Sequence, residues 1–302
     1  MSFRPVKSAT SAVPTMEGAG VKLYRAFGFQ EPDKFDPFLL FDDFRNENPS
    51  DYQKGFPWHP HRGIETITYV LTGSVDHGDS LGNVGTLSGG DLQLMTAGSG
   101  ILHQEMPKGN ADGQMHGFQL WANLPSSLKM TKPRYQDIKG CELPLLLEDD
   151  GTRIKVIIGD YKGSASPVDG IAAEPQYLDV FVPPNLTKRL SIDTYRRAFA
   201  YVFEGAGDFN SASNPKGVLV EKSVNDEELH IADLSGNRTL VQFDTGDEVV
   251  VTSGPQGVRF LLISGAPIQE PIAWHGPIVM NTQKELQQAI HDLNNNQFIR
   301  AH

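Results

Sequence analysis

Residues 56–73 read FPWHPHRGIETITYVLTG and residues 90–107 read GDLQLMTAGSGILHQEMP. Each stretch holds two metal-ligand side chains at i, i+2, His59 with His61 and His103 with Glu105. Successive side chains of a β-strand point to opposite faces, so this spacing puts each pair on one face of a strand. Two such strands side by side bring three imidazoles and a carboxylate together. That donor set suits iron, manganese, copper, nickel or zinc, whereas calcium and magnesium prefer all-oxygen shells. It points to oxygen activation or Lewis-acid chemistry. A second carboxylate, Glu65, follows His61 at i+4 on the same expected strand face, so the residues alone leave the fourth ligand open between Glu65 and Glu105.

Working outward, the runs GVKLYRAFG (20–28), FLLF (38–41), TITYVLTG (66–73), LQLM (92–95) and FQLWANL (118–124) are bounded by Gly, Pro, Asp and Asn clusters. Such spacing predicts antiparallel strands. Gly (30) and Pro (20) together make about one residue in six of the 302, which favours an all-β protein with many turns. The length predicts two domains, and we place them at 1–135 and 136–302, with the connection in SSLKMTKPRYQDIKGCELPLLLEDD (126–150). A second strand series follows: IKVIIG (154–159), YLDVFV (177–182), AFAYVFEG (198–205), GVLVE (217–221) and TLVQFDTGDEVVVTSGPQGVRFLLISG (239–265). AFAYVFEG with GDEVVV echoes TITYVLTG with GDLQLM, which suggests an internal duplication, but the second copy has no matching histidines. His230 reads as a solvated or strand-edge residue. Thr282 and Glu285 form a capping-box pattern ahead of Leu286, Ala289, Ile290, Leu293 and Gln297, predicting an amphipathic helix over about 282–298 that packs on a barrel.

In this order, His59, His61, Glu65 and Gly73, then Gly90, Gly98, Gly100 and His103, resemble the two-part cupin signature, G-x5-H-x-H-x3-4-E-x6-G followed by G-x5-P-x-G and a final His. Thr96 stands where that signature has Pro, and the gap from Glu65 to Gly73 is one residue longer. The likeness narrows to the pirin family: DPFLLFDDF (36–44), the two stretches quoted first, HGFQLWANLP (116–125) and HGPIVMNT (275–282) resemble pirin segments in pirin order. Ile64 replaces the Phe usual in that family, a change of volume that leaves the ligands untouched.

The resemblance implies two cupin β-barrels (double-stranded β-helices), the first metal-binding and the second not, followed by the terminal helix. It implies His59, His61, His103 and Glu105 as ligands of one iron ion per chain, with Glu105 also the catalytic base. Glu65 then supports the ligands or pairs with Arg62 or another nearby cation. The implied activity is quercetin 2,3-dioxygenase, which opens a flavonol ring with O2 and releases carbon monoxide. The alternative it carries is a metal- or redox-dependent regulatory protein that binds transcription or signalling partners without catalysis.

With 26 Lys and Arg against 37 Asp and Glu, the chain carries a net charge of −11, which disfavours direct nucleic-acid binding and anionic membrane surfaces. No stretch of 18 apolar residues occurs and MSFRPVKSATSAVP lacks an apolar leader core, so we expect a cytoplasmic monomer, also nuclear if eukaryotic. The single Cys141 fits a reducing compartment and reads as a small, at least half-buried residue. His77, in DHGDSLGN, reads as an exposed turn residue. His116 either reaches the pocket or caps its strand. Trp58 and Met95 line the barrel mouth or pack in the core, and Gly98 and Gly100 permit backbone conformations closed to other residues.

Overall fold

The computed structural model describes residues 2–209, 223–224, 227–228 and 234–300. The expected strand at 217–221 and His230 lie outside them. The chain divides into two units: Val13–Leu143 with Pro167–Glu174 and Ile268–His302, and Met1–Ala12 with Pro144–Ser166 and Pro175–Pro267. This differs from the expected cut at 135/136, because both terminal segments join the unit formed by the far half of the chain. Strand β1 (Val6–Ser11) pairs antiparallel with Thr239–Phe243 of the second unit and covers that strand's edge. Ile268–His302 instead belongs to the first unit, where Ala273, Ile278, Met280, Leu286, Ala289 and Phe298 are buried together. The expected connection at 126–150 also holds two strands, Arg134–Ile138 in the first unit and Leu145–Leu147 in the second.

The first unit is built on β2 (Val13–Glu17), β3 (Val21–Phe27), β4 (Phe38–Asp43), β5 (Phe56–His61), β6 (Ile64–Thr72), β7 (Ser74–Asp79), β8 (Val84–Ser88), β9 (Leu92–Thr96), β10 (Ile101–Lys108), β11 (His116–Asn123) and β12 (Arg134–Ile138). A seven-stranded sheet runs in the order β12-β9-β6-β11-β4-β3-β2, and a four-stranded sheet in the order β5-β10-β7-β8. All of these pairings are antiparallel. The alternation of β6 separates two faces: Thr66, Thr68 and Val70 point one way, Glu65, Ile67 and Tyr69 the other. Gly98 (φ +48°) and Gly100 (φ +136°) adopt left-handed backbone between β9 and β10, and a Cβ there would lie 2.2 Å from the Thr131 carbonyl oxygen and 2.5 Å from that of Phe298.

Helix α1 (Gln283–Asn294) opens on the expected capping box: Thr282 Oγ1 accepts from the Glu285 amide, and the Glu285 carboxylate accepts from the Thr282 amide. Leu286 and Ala289 pack against Ala273, Ile278, Met280 and Phe298. The helix stops short of the expected residue 298. Asn294–Asn296 is a run of poor helix formers, and Asn296 adopts a left-handed φ of 57°.

The second unit is a nine-stranded antiparallel sheet in which Arg197–Asp208 lies between Thr239–Phe243 and Glu248–Gly265. Its core is aliphatic and aromatic, with Val156, Leu178, Val202, Val251 and Phe260 buried together. Among the described residues, the one cluster of three or more metal-ligating side chains lies in the first unit.

Candidate metal centre

The register of β5 on β10 sets His59 directly opposite His103, with His61 two residues along on the same face. The three rings meet at centroid distances of 4.3 Å (His59–His103) and 4.9 Å for each of the other two pairs. Their candidate ligand nitrogens all lie within 4.8 Å of one another. His61 and His103 are buried, and His61 Nδ1 and both His103 ring nitrogens have no hydrogen-bond partner. The His59 Nδ1–H donates to the Pro57 carbonyl at 2.9 Å, which leaves Nε2 as the lone-pair donor. Burial lowers all three pKa values, those of His61 and His103 well below the usual imidazole value, so the rings stay neutral. Unpartnered buried nitrogens are costly unless something satisfies them. Three neutral imidazoles converging in this way fit a transition-metal ion.

Glu105 stands outside that 4.8 Å group. The pairing of β10 shifts between His103, opposite His59, and Glu105, opposite Phe56, and Glu105 lines the cavity next to the histidines. Burial pushes its carboxyl up to about 7, against the opposing pull of the nearby His77 and a Thr68 hydrogen bond.

Glu65 is placed differently. It follows the turn at Arg62–Gly63 on a separate strand and lies on the face of β6 opposite the cavity-lining Thr68, where it accepts from Thr96 Oγ1 (2.7 Å) and the Ala172 amide (3.1 Å). The i+4 reading assumed one continuous strand, and the turn resets the face. Burial raises the Glu65 pKa. Arg62 does not serve it; the guanidinium donates instead to Asp292 (2.7 Å) and the Phe298 carbonyl (2.8 Å).

His77 corrects another expectation. It is buried on β7, directly opposite Glu105, and not in an exposed turn. Its Nε2–H donates to Asp137 (3.1 Å) and its Nδ1 accepts from the Tyr135 hydroxyl (2.7 Å). A Cβ at Gly85 would lie 2.6 Å from the His77 ring, so the absence of a side chain there makes room for it. The polar run SVDHGD carries no apolar alternation to mark a strand; its pairing with β10 and β8 does so. His116 opens β11 with Nε2 3.6 Å from Asp43 Oδ1 and stays out of the histidine group. Met95 is core, Trp58 is exposed and outside the cavity lining, and Cys141 is exposed where burial was expected. Trp121, whose ring meets His61 edge-on at 5.0 Å, carries no ligand-type group that would mark it in the sequence.

A cavity of about 450 Å³ opens beside the cluster, lined by His59, His61, Glu105, Thr68, Trp121 and largely apolar neighbours. That volume and lining suit a small organic ligand. No helix among the described residues is long and apolar enough to cross a membrane.

The pirin family model matches residues 20–122 and the pirin C-terminal cupin domain model residues 177–299. A pirin-like protein from Caulobacter vibrioides is 41% identical over 299 residues, covering 99% of this chain and 100% of the relative. Human pirin is 39% identical over 288 residues, covering 94% of this chain and 90% of its own. The crystal structure of quercetin 2,3-dioxygenase from Acinetobacter baumannii aligns with a TM-score of 0.84 at 29% identity, covering 98% of this chain and 99% of that one. With its two cupin domains and a three-histidine cluster in the first, the chain belongs to the pirin family.

Proposed function

We propose that this protein is a metal-dependent dioxygenase of the quercetin 2,3-dioxygenase type, opening a flavonol ring with O2 and releasing carbon monoxide, with iron as its metal. The observation that carries the reading is the convergence of three neutral, unprotonated imidazoles beside a largely apolar 450 Å³ cavity that also presents Glu105. His59, His61 and His103 hold the metal, with Glu105 as the fourth ligand. Bound there, the ion supplies Lewis-acid charge stabilisation and a redox partner for dioxygen. Glu105 takes the proton of the flavonol 3-hydroxyl, a role that needs a carboxylate within hydrogen-bond reach of the substrate. Thr68, which lines the cavity beside Glu105, gives its hydroxyl proton to Gln119 Oε1 at 2.7 Å. Trp121 offers the planar substrate a ring face beside His61, and the apolar walls exclude water. The similarity to the Acinetobacter baumannii enzyme supports this reading, and an accessible cavity weighs against the purely regulatory alternative.

The test is oxygen uptake by the iron-loaded protein with quercetin. Uptake matched one-to-one to quercetin loss is expected, and a flavone lacking the 3-hydroxyl should be inert, since it offers Glu105 no proton. A fully metallated protein that consumes no oxygen with any flavonol rules the reading out.

A further inference from the structure

One register row crosses the cavity face of the seven-stranded sheet. Arg25 on β3, Asp42 on β4, Gln119 on β11 and Thr68 on β6 are directly opposite one another in turn, and all four line the cavity. The neighbouring cavity-facing positions are apolar, Leu23 and Phe44 on one side, Leu40 and Trp121 on the other. Arg25 donates from Nε and Nη2 to both Asp42 oxygens at 2.8 Å, and from Nη1 to Glu17 at 2.8 Å. One guanidinium thus serves two carboxylates, and the wall carries surplus negative charge.

The Arg25 and Asp42 side chains are only 16% and 7% exposed. A buried ion pair is weak support for a fold, since well-packed apolar residues of similar volume stabilise as well or better. The pair is therefore better explained by what it presents to the cavity. Each Asp42 oxygen accepts one bond from Arg25, and a carboxylate has lone pairs for about four, so acceptor capacity remains. Alongside runs a chain of aromatic rings: Phe29 under the Arg25 guanidinium (5.3 Å), Trp274 (4.5 Å from Phe29), Trp121 (6.3 Å from Trp274) and His61 (5.0 Å from Trp121). Flat rings can lie along that chain, and their hydroxyl groups meet acceptors in the polar row.

We propose that Asp42, fixed by Arg25, is the specificity-determining residue of the cavity. It accepts hydrogen bonds from ring hydroxyl groups other than the one presented to the histidines. Together with Glu17 it turns away ligands that carry an anion at that position. The inference rests on the flavonol reading above and names the part of the substrate that the metal does not touch.

Anaerobic binding to the metal-loaded protein, followed by quenching of tryptophan fluorescence, tests it. The probes are quercetin, 3-hydroxyflavone without further hydroxyl groups, and a ring-sulfonated quercetin. Wild type should bind quercetin about tenfold or more tightly than 3-hydroxyflavone, the usual worth of a hydrogen bond to a charged group. In the double variant Arg25→Met/Asp42→Leu, which removes both buried charges together and leaves only the more exposed Glu17 without its cation, the ratio should fall to about twofold or less with metal content retained. Glu17→Gln, at the exposed rim, should relax the discrimination against the sulfonated ligand by about threefold or more, as removing one like charge predicts. A wild-type ratio near one, an undiminished ratio in the double variant, or unchanged discrimination in Glu17→Gln overturns the inference and leaves the flavonol reading standing. If wild type binds neither quercetin nor 3-hydroxyflavone, the flavonol reading itself fails and takes the inference with it.

Discussion

Glu105 reaches the cavity beside Thr68, while Glu65, three residues before Thr68 on β6, projects from the other face to Thr96 and the Ala172 amide. Their variants should separate accordingly. Glu105→Gln should lower kcat by about 10²- to 10⁴-fold, the usual worth of a general base. Glu65→Gln should keep measurable turnover, reduced at most by about 10- to 100-fold. It should also destabilise the fold by about 1 kcal/mol, because the amide oxygen still accepts from the Ala172 N–H and its NH2 donates to Thr96 Oγ1, and only the charge assistance of those bonds is lost. Steady-state kinetics with chemical denaturation on both variants checks the pair, and total loss of turnover in Glu65→Gln alone would reverse the assignment. The three histidines were legible in the sequence because i, i+2 spacing is a local property of a strand. The duty of Glu65 was not, because it depends on a turn at Arg62–Gly63 that no periodicity marks. The burial of His77 was hidden for a related reason: its partners Tyr135 and Asp137 lie about 60 residues away in a stretch read as a connection.

At the scale of elements, α1 is tied to the histidine strand through Arg62, the residue after His61. Arg62 is fully buried, bonded to Asp292 in the helix and to the Phe298 carbonyl, with its guanidinium 4.2 Å from the Phe298 ring. Asp292→Ala would leave a buried cation without its counter-charge, at a cost of about 3–5 kcal/mol. Chemical denaturation should show that loss, and faster amide exchange across Gln283–Asn294 should accompany it. Burial alone would raise the Asp292 pKa, but hydrogen bonds from Arg62 and Gln288 and the Arg62 charge outweigh it and hold the carboxyl below its ordinary value. A carboxyl whose folded pKa lies below its unfolded one stabilises the fold above the unfolded value, about 3.9, and loses that contribution as pH falls through the folded pKa. The stability difference between wild type and Asp292→Asn should therefore be constant from neutral pH to about 5 and shrink in more acid solution. A difference that grows on acidification would contradict the pairing. The start of α1 was legible from Thr282 and Glu285 because a capping box is written within four residues, whereas its anchor on Arg62 is 230 residues distant in sequence.

For the whole molecule, the strand runs disclosed two all-β units, yet the assignment of both ends of the chain escaped the linear reading. Val6 pairs with Phe243, and the segment from Ile268 onward packs with the unit that begins at Val13. Such long-range pairings leave no trace in local periodicity. We propose that His59, His61 and His103 form the chain's metal centre and that the described strands of the second unit, which carry no matching ligands, hold none. Metal content by mass spectrometry on iron-loaded protein tests this most directly, on wild type and on His59→Ala, His61→Ala and His103→Ala, each first shown to be folded by circular dichroism. The account predicts one equivalent per chain in wild type and loss of tight binding in every histidine variant, since removing one imidazole takes away much of the shell's affinity. Two equivalents in wild type, or undiminished metal in a folded His103→Ala, would contradict it.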